Sequence, residues 1–285
     1  GNLKTYSYGI FFILFNTLEN LVKLDKFGVV GPSLAEKYEV SNDGLKYHFN
    51  LRKGIKFSNG RPITTDDVVY SFKRHILAKG HYHLVLRERL KGTKDFLIHS
   101  QNIEGLRVIN EREIEILLTR PISKFLMYLS YLNMAIVPRE ATKIDTPEID
   151  FIHPASGPYK VISFNENEVV LKVVKEHFLY KIGMSEEVIF KKMTDSEGLE
   201  ALKKGEINLI NPRTATLEKL AEFNNNKYQL FPSEQLINLF IINHKSLLIK
   251  KFPKLPALIN KYIRREELIE ERFNSFMTPA YQIIP

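Results

Sequence analysis

Residues 32–72 read PSLAEKYEVSNDGLKYHFNLRKGIKFSNGRPITTDDVVYSF, and this stretch decides the fold. Tyr47, Phe49 and Leu51 alternate with Lys46, His48, Asn50 and Arg52, the period of a strand with one buried face. Asn42-Asp43-Gly44 precedes the alternation, and Asn59-Gly60 follows the short run Ile55-Lys56-Phe57. Such groups supply the positive φ that tight turns need, so hairpins are expected. Thr64-Thr65-Asp66-Asp67 then opens a helix: a hydroxyl cap and two acids at its positive end, with Val68, Val69, Phe72 and Ile76 on the inner side. Two adjacent carboxylates could serve acid–base chemistry, but helix-terminal charge accounts for both.

Upstream, Gly9 to Phe15 is a purely apolar run. It is too short for the ~20 apolar residues of a membrane span, and it lacks the basic start and small-residue cleavage site of an export signal. Phe11, Leu14, Phe15, Leu18, Leu21 and Val22 fall at helical spacing, so residues 9–24 read as an amphipathic helix buried along that face.

Downstream, Ala78 to Gly92 is polar and contains His81 and His83. Alternate spacing places both imidazoles on one side of an extended segment, but no third ligand follows at metal-site spacing, and a solvated loop explains them. A second hairpin is expected at 106–118, turning at Asn110-Glu111. Pro121 suits the first turn of a helix through Phe125, Leu126 and Leu129. Residues 139–157 read as a connector with Pro147, Pro154 and Gly157. A strand pair follows around Asn165-Glu166-Asn167, then a helix over 195–204 closed by Gly205. Ile207 to Ile210 reads as a buried strand, 217–223 as a helix, 236–242 as a strand and 258–273 as a charged helix. Hairpins interleaved with helices and broken by a long excursion indicate a mixed α/β chain, with a subdomain inserted into a larger lobe.

Composition narrows the function. The 285 residues suffice for about two domains, and 44% hydrophobic with 26% charged residues excludes wholesale disorder. The net charge of +8 is spread along the chain rather than gathered into the basic run that nucleic-acid binding favours. There is no cysteine, which removes disulfides, thiolate metal sites and cysteine nucleophiles, and no tryptophan. Dinucleotide, phosphate-loop, zinc-protease and serine-hydrolase motifs are all absent. A lobed binding protein fits the residues better than a catalyst.

Residues 32–72 closely resemble the signature of the family 5 extracellular solute-binding proteins, the oligopeptide-, dipeptide- and nickel-binding components of ABC importers. Further matches follow in the family's order: Ser156-Gly157-Pro158-Tyr159-Lys160, Leu202-Lys203-Lys204-Gly205-Glu206-Ile207-Asn208, Ile241-Ile242-Asn243, Arg265-Glu266-Glu267-Leu268-Ile269 and Thr278-Pro279-Ala280.

The resemblance implies an α/β, two-lobed periplasmic-binding-protein fold of type II with an extra inserted subdomain, its second lobe largely missing after Pro285. Lobe I would take residues 1–19 and 151–230, the inserted subdomain 20–150, and the start of lobe II 231–285. The implied activity is capture of a peptide-like solute between the lobes for a membrane permease, without catalysis, cofactor or metal. The implied setting is the periplasm or cell surface, with a lipid anchor outside this chain. By position, Tyr6 and Tyr8, then Asn211 and Arg213, then Gln235, Ile237 and Asn238 match cleft-lining segments. Arg213 is the candidate for a ligand carboxylate, which a guanidinium can hold bidentately. Departures in the late helix, where Arg264 replaces the family's aspartate, leave the solute class open. The same fold also serves as the effector-sensing domain of transcription regulators, and a non-transport scaffold is the reading should the protein end at Pro285.

Overall fold

The computed structural model describes residues 8–25, 28–77, 84–99, 102–142, 144, 154–211 and 251–254. The chain divides into two units, Gly1–Lys192 and Met193–Pro285.

In the first unit, helix α1 (Tyr8–Thr17) leads to a short antiparallel pair, β1 (Val22–Leu24) with β2 (Val30–Pro32). A four-stranded antiparallel sheet follows, built from β3 (Ala35–Val40), β4 (Lys46–Leu51), β5 (Leu106–Asn110) and β6 (Glu113–Leu117), in the order β3-β4-β6-β5. Helices α2 (Thr65–Leu77), α3 (Leu84–Arg89) and α4 (Thr93–His99) form the excursion between β4 and β5, and α5 (Phe125–Leu129) follows β6.

The alternation in β4 does what its period demands. Tyr47, Phe49 and Leu51 are buried, and they join Phe72 and Ile76 of α2, Ile114 and Ile116 of β6 and Phe125 of α5 in one core. Gly44 and Gly60 both take positive φ, at 66° and 89°, in the turns expected of them. The Asn59-Gly60 turn joins only an isolated bridge, Lys56 to Pro62, rather than a full hairpin.

A second sheet, β7 (Tyr159–Phe164), β8 (Glu168–Val173) and β9 (Glu187–Lys191), is antiparallel in chain order. Its inner face, with Tyr159, Val161, Val169, Leu171 and Val173, packs on Ile13 of α1. In the second unit, α6 (Asp195–Lys204) ends at Gly205 in the left-handed region, as the sequence predicts, and it begins with a reciprocal capping box between Thr194 and Glu197 that the sequence reading did not name.

Three expectations are corrected. Residues 9–24 are not one helix: α1 ends at Thr17, and 22–24 are strand β1. The Asn16 amide and the Thr17 hydroxyl fold back onto the carbonyls of Phe12 and Ile13, and Gly157 N–H takes the Thr17 carbonyl, so the last turn is closed from outside the helix. Phe11 and Phe15 are exposed while Ile13 is buried, because a helix apolar all round cannot bury every face on one three-stranded sheet. Pro121 lies ahead of α5 rather than in its first turn. Residues Ile207 to Ile210 form no strand; Leu209 is exposed, and Ile210 rests against Gly198 of α6. The expected elements at 217–223, 236–242 and 258–273 lie outside the described residues, as do His81 and His83.

Candidate functional site

Of the seven residues expected to line a cleft, Tyr8 opens α1, and Asn211 is exposed just beyond the Ile210 contact with α6. Tyr6, Arg213, Gln235, Ile237 and Asn238 lie outside the described residues. What the structure does show is how the first of these segments is anchored.

The anchor is the Ser156-Gly157 step before β7. A β-carbon on Gly157 would come within 2.8–2.9 Å of backbone atoms of Asn16, Thr17 and Leu18, so only glycine permits this approach. The Ser156 hydroxyl accepts from Glu19 N–H (3.0 Å) and donates to the Ile136 carbonyl (2.7 Å). Ile136 N–H in turn donates to the Glu19 carbonyl (2.9 Å). Next to Glu19, the Asn20 amide donates to the carbonyls of Leu129 and Tyr131. Three distant stretches of chain thus meet at the end of α1, all through buried polar groups whose partners are satisfied within the fold.

Two titratable groups belong to this node. Glu19 is only 8% exposed. Burial pushes its carboxyl above the usual range, against the opposing pull of the Ser33 hydroxyl, Lys23, the Asn20 N–H and Arg52. That buried hydroxyl faces the carboxyl without closing a hydrogen bond of normal geometry. His177 directs Nε2 at the Ser156 carbonyl (3.0 Å) and accepts Leu179 N–H on Nδ1 (3.2 Å), a pattern that fits the neutral ring with the proton on Nε2. Burial holds it below the usual imidazole range, outweighing the Ser156 carbonyl. Arg52 completes the wall: its guanidinium donates to the Ser33 carbonyl (2.6 Å) and lies 4.8 Å over the Phe178 ring.

A second polar cluster explains the paired aspartates. Asp67 is fully buried and accepts two hydrogen bonds from Arg61 (2.9 and 3.0 Å) and one from Thr64 N–H (3.1 Å). Arg61 also binds Glu140 through two donors at 2.9 Å. Burial disfavours the Arg61 charge, yet the Asp67 and Glu140 carboxylates raise its pKa regardless. This bidentate network fastens the Asn59-Gly60 turn and the start of α2 to the segment at 139–142. The side chain of Asp66, its neighbour in sequence, is exposed and makes no hydrogen bond or ion pair among the described residues.

Beyond the anchor, α1 presents Phe11, Phe12 and Phe15 at 36%, 40% and 61% exposure. Sequence reasoning counted Phe11 and Phe15 as core. The signal it passed over was the unbroken run from Gly9 to Phe15, whose apolar side chains cover every side of a helix. Among the described residues, no three carboxylate, histidine or cysteine groups come together as a metal site. No described helix is long and apolar enough to cross a membrane.

Comparison with known proteins gives the class. Residues 29–285 match the family model described as bacterial extracellular solute-binding proteins, family 5 Middle, and the chain belongs to that family. Its curated relatives include the glutathione-binding protein GsiB of Salmonella choleraesuis and of Escherichia coli K12, each 26% identical over 270 residues. These cover 94% of this chain and 50% of the relative, so the chain spans about half the length of the curated relatives it matches. Among solved structures, the periplasmic oligopeptide-binding protein OppAIV of Borrelia burgdorferi superimposes with a TM-score of 0.70 at 22% identity, over 92% of this chain and 54% of that one. NikZ of Campylobacter jejuni, solved with Ni(L-His), gives 0.66 at 20% identity, over 93% and 51%. At these identities the likeness is one of fold: the two-lobed α/β fold of family 5, of which this chain spans about half. The family is one of binding proteins, not of enzymes.

Proposed function

We propose that the chain is part of the substrate-binding component of an ABC importer, outside the cytoplasmic membrane, holding a peptide-like solute for a permease. The carrying observation is the family match over residues 29–285, supported by the fold shared with the Borrelia protein over 92% of the chain. The peptide reading draws on relatives named for oligopeptides and glutathione. An extended peptide offers the same backbone groups whatever its side chains, so a cleft that pairs with the main chain is tolerant by construction. In this reading lobe I takes residues 1–19 and 151–230, the inserted subdomain 20–150, and lobe II begins at 231. Tyr6, Tyr8, Asn211, Arg213, Gln235, Ile237 and Asn238 line the cleft, and closure is a population shift driven by solute touching both lobes. A lipid anchor beside the membrane fits the same role.

The test is calorimetry on the native gene product that contains this sequence, titrated with tripeptides of differing charge. Arg213→Ala is expected to weaken acidic peptides about tenfold, the worth of a charged hydrogen bond. Equal affinities in both proteins would remove Arg213 from the site. Failure of every peptide to bind would overturn the peptide reading and leave family membership intact.

A further inference from the structure

A groove of about 340 Å³ lies between α2 and β5, lined by Asp66, Val69 and Lys73 of α2, by Asn102 and Ile103, and by Leu106 and Val108 of β5. It is partly open to solvent. Positions 66, 69 and 73 share one face of the helix, and 106 and 108 share one face of the strand. Ile103 and Leu106 are buried and make an apolar floor; Val69 and Val108 are its walls.

Its two ends carry opposite charge, and neither charge is paired with an opposite one among the described residues. The Asp66 carboxylate is exposed and makes no hydrogen bond or ion pair among the described residues. Lys73 is half-buried, and its ammonium donates to the Asn102 side-chain carbonyl (3.2 Å) and lies 5.6 Å from the centre of the Phe96 ring. It has no carboxylate partner among the described residues. An ammonium carries three donors, so Lys73 has donors left for an anion at a place where part of its hydration is already lost. Seven residues of helix put the two α-carbons roughly 10 Å apart, and the lysine stem, leaning back toward the helix start, shortens the span between charges. Asp67, one residue on, points inward to Arg61 and does not compete.

From this geometry we infer that the groove between α2 and β5 is a binding site for small zwitterions. The ligand class has an ammonium at one end for Asp66, a carboxylate at the other for Lys73, and an apolar middle over Ile103 and Leu106. Short peptides and ω-amino acids share that chemistry. The site is formed within the first unit alone and does not depend on the transport reading.

The experiment titrates the whole chain with 6-aminohexanoate, hexylamine and hexanoate, following backbone amide shifts by NMR. The zwitterion is expected to shift residues of α2 and β5 and to bind about fivefold more tightly than either single-ended compound, the worth of one further partly exposed ion pair. Lys73→Met should reduce 6-aminohexanoate to the level of hexylamine, and Asp66→Asn to that of hexanoate, while the remote Lys37→Met changes nothing. Both positions are at the surface, and matching melting temperatures will confirm intact folds. Equal binding by all three compounds overturns the inference, as does zwitterion binding that survives both substitutions or shifts only residues elsewhere.

Discussion

The two sheets of the first unit are built on different terms. The four-stranded sheet closes its own core: β4, β6, α2 and α5 supply Phe49, Leu51, Ile114, Ile116, Phe72 and Phe125, all almost entirely inaccessible. The three-stranded sheet has a much smaller core, closed on one side by α1. It leaves Ile162 and Ile189 exposed on its outer face, and α1 leaves Phe11, Phe12 and Phe15 exposed. The first sheet is a self-sufficient scaffold. The second holds α1 in place by an anchor at one end and leaves Phe12 and Phe15 of the helix largely exposed. A surface to be used for binding needs that arrangement: a fixed backbone under side chains that the core does not consume.

The contrast can be attacked in order of expected effect. Phe49→Ala should cost about 3–5 kcal/mol of stability, the range for an aromatic removed from a sealed core, read as a lower urea midpoint. An unchanged midpoint would end the claim that the larger sheet carries its own core. Asp67→Ala leaves Arg61 and Glu140 to rearrange around a vacated buried site, and a loss of roughly 3 kcal/mol is expected for breaking such a pair. Gly157→Ala tests the anchor. Because the intruding methyl meets backbone rather than a pliable side chain, destabilisation of about 2–3 kcal/mol is expected, with faster amide exchange at the end of α1. Ordinary exchange there would show that the close approach is not needed.

The next test is pH. Glu19, raised by burial, contributes stability that is whole below its unfolded value of 4.5 and is lost as pH climbs through its folded value. His177, lowered by burial, contributes stability that is whole above 6.5 and is lost as pH falls through its folded value. The two flanks belong to different residues. Glu19→Gln should flatten the alkaline-going decline of the melting temperature above pH 4.5 and leave the decline below pH 6.5; His177→Gln should do the reverse. Identical profiles in both variants would dissolve the node as a titrating unit. Smallest of all, Phe15→Ser at this exposed position of α1 should change stability by no more than about 0.5 kcal/mol; a core-sized loss would mean that the Phe15 ring is packed after all.

Most of the scaffold was legible in residues 32–72, because its signals are local. Alternation in β4, asparagine–glycine turns and a capped, acid-led helix each depend on neighbours within a few positions. The hairpin at 106–118 and the helix at 195–204 with its closing Gly205 were legible for the same reason. The candidate cleft was legible only as family position, since Tyr6, Arg213, Gln235, Ile237 and Asn238 belong to no local pattern. The extent of α1 was misread because hydrophobic spacing ranks faces of a helix but cannot say how many neighbours will come to cover them.

By itself, then, the sequence determined the hairpins, the caps, the absence of thiol chemistry and the family to which the chain belongs. Tertiary structure alone decided that Asp67 turns inward to Arg61 while Asp66 stays exposed. It also decided that α1 stops at Thr17 against Gly157, and that Lys73 and Asp66 flank one groove. The physical reason is range. Turn, cap and period are written in bonds between near neighbours, whereas burial and charge pairing depend on which distant segments arrive alongside, and residues 17, 19, 136 and 157 meet only once the chain is folded.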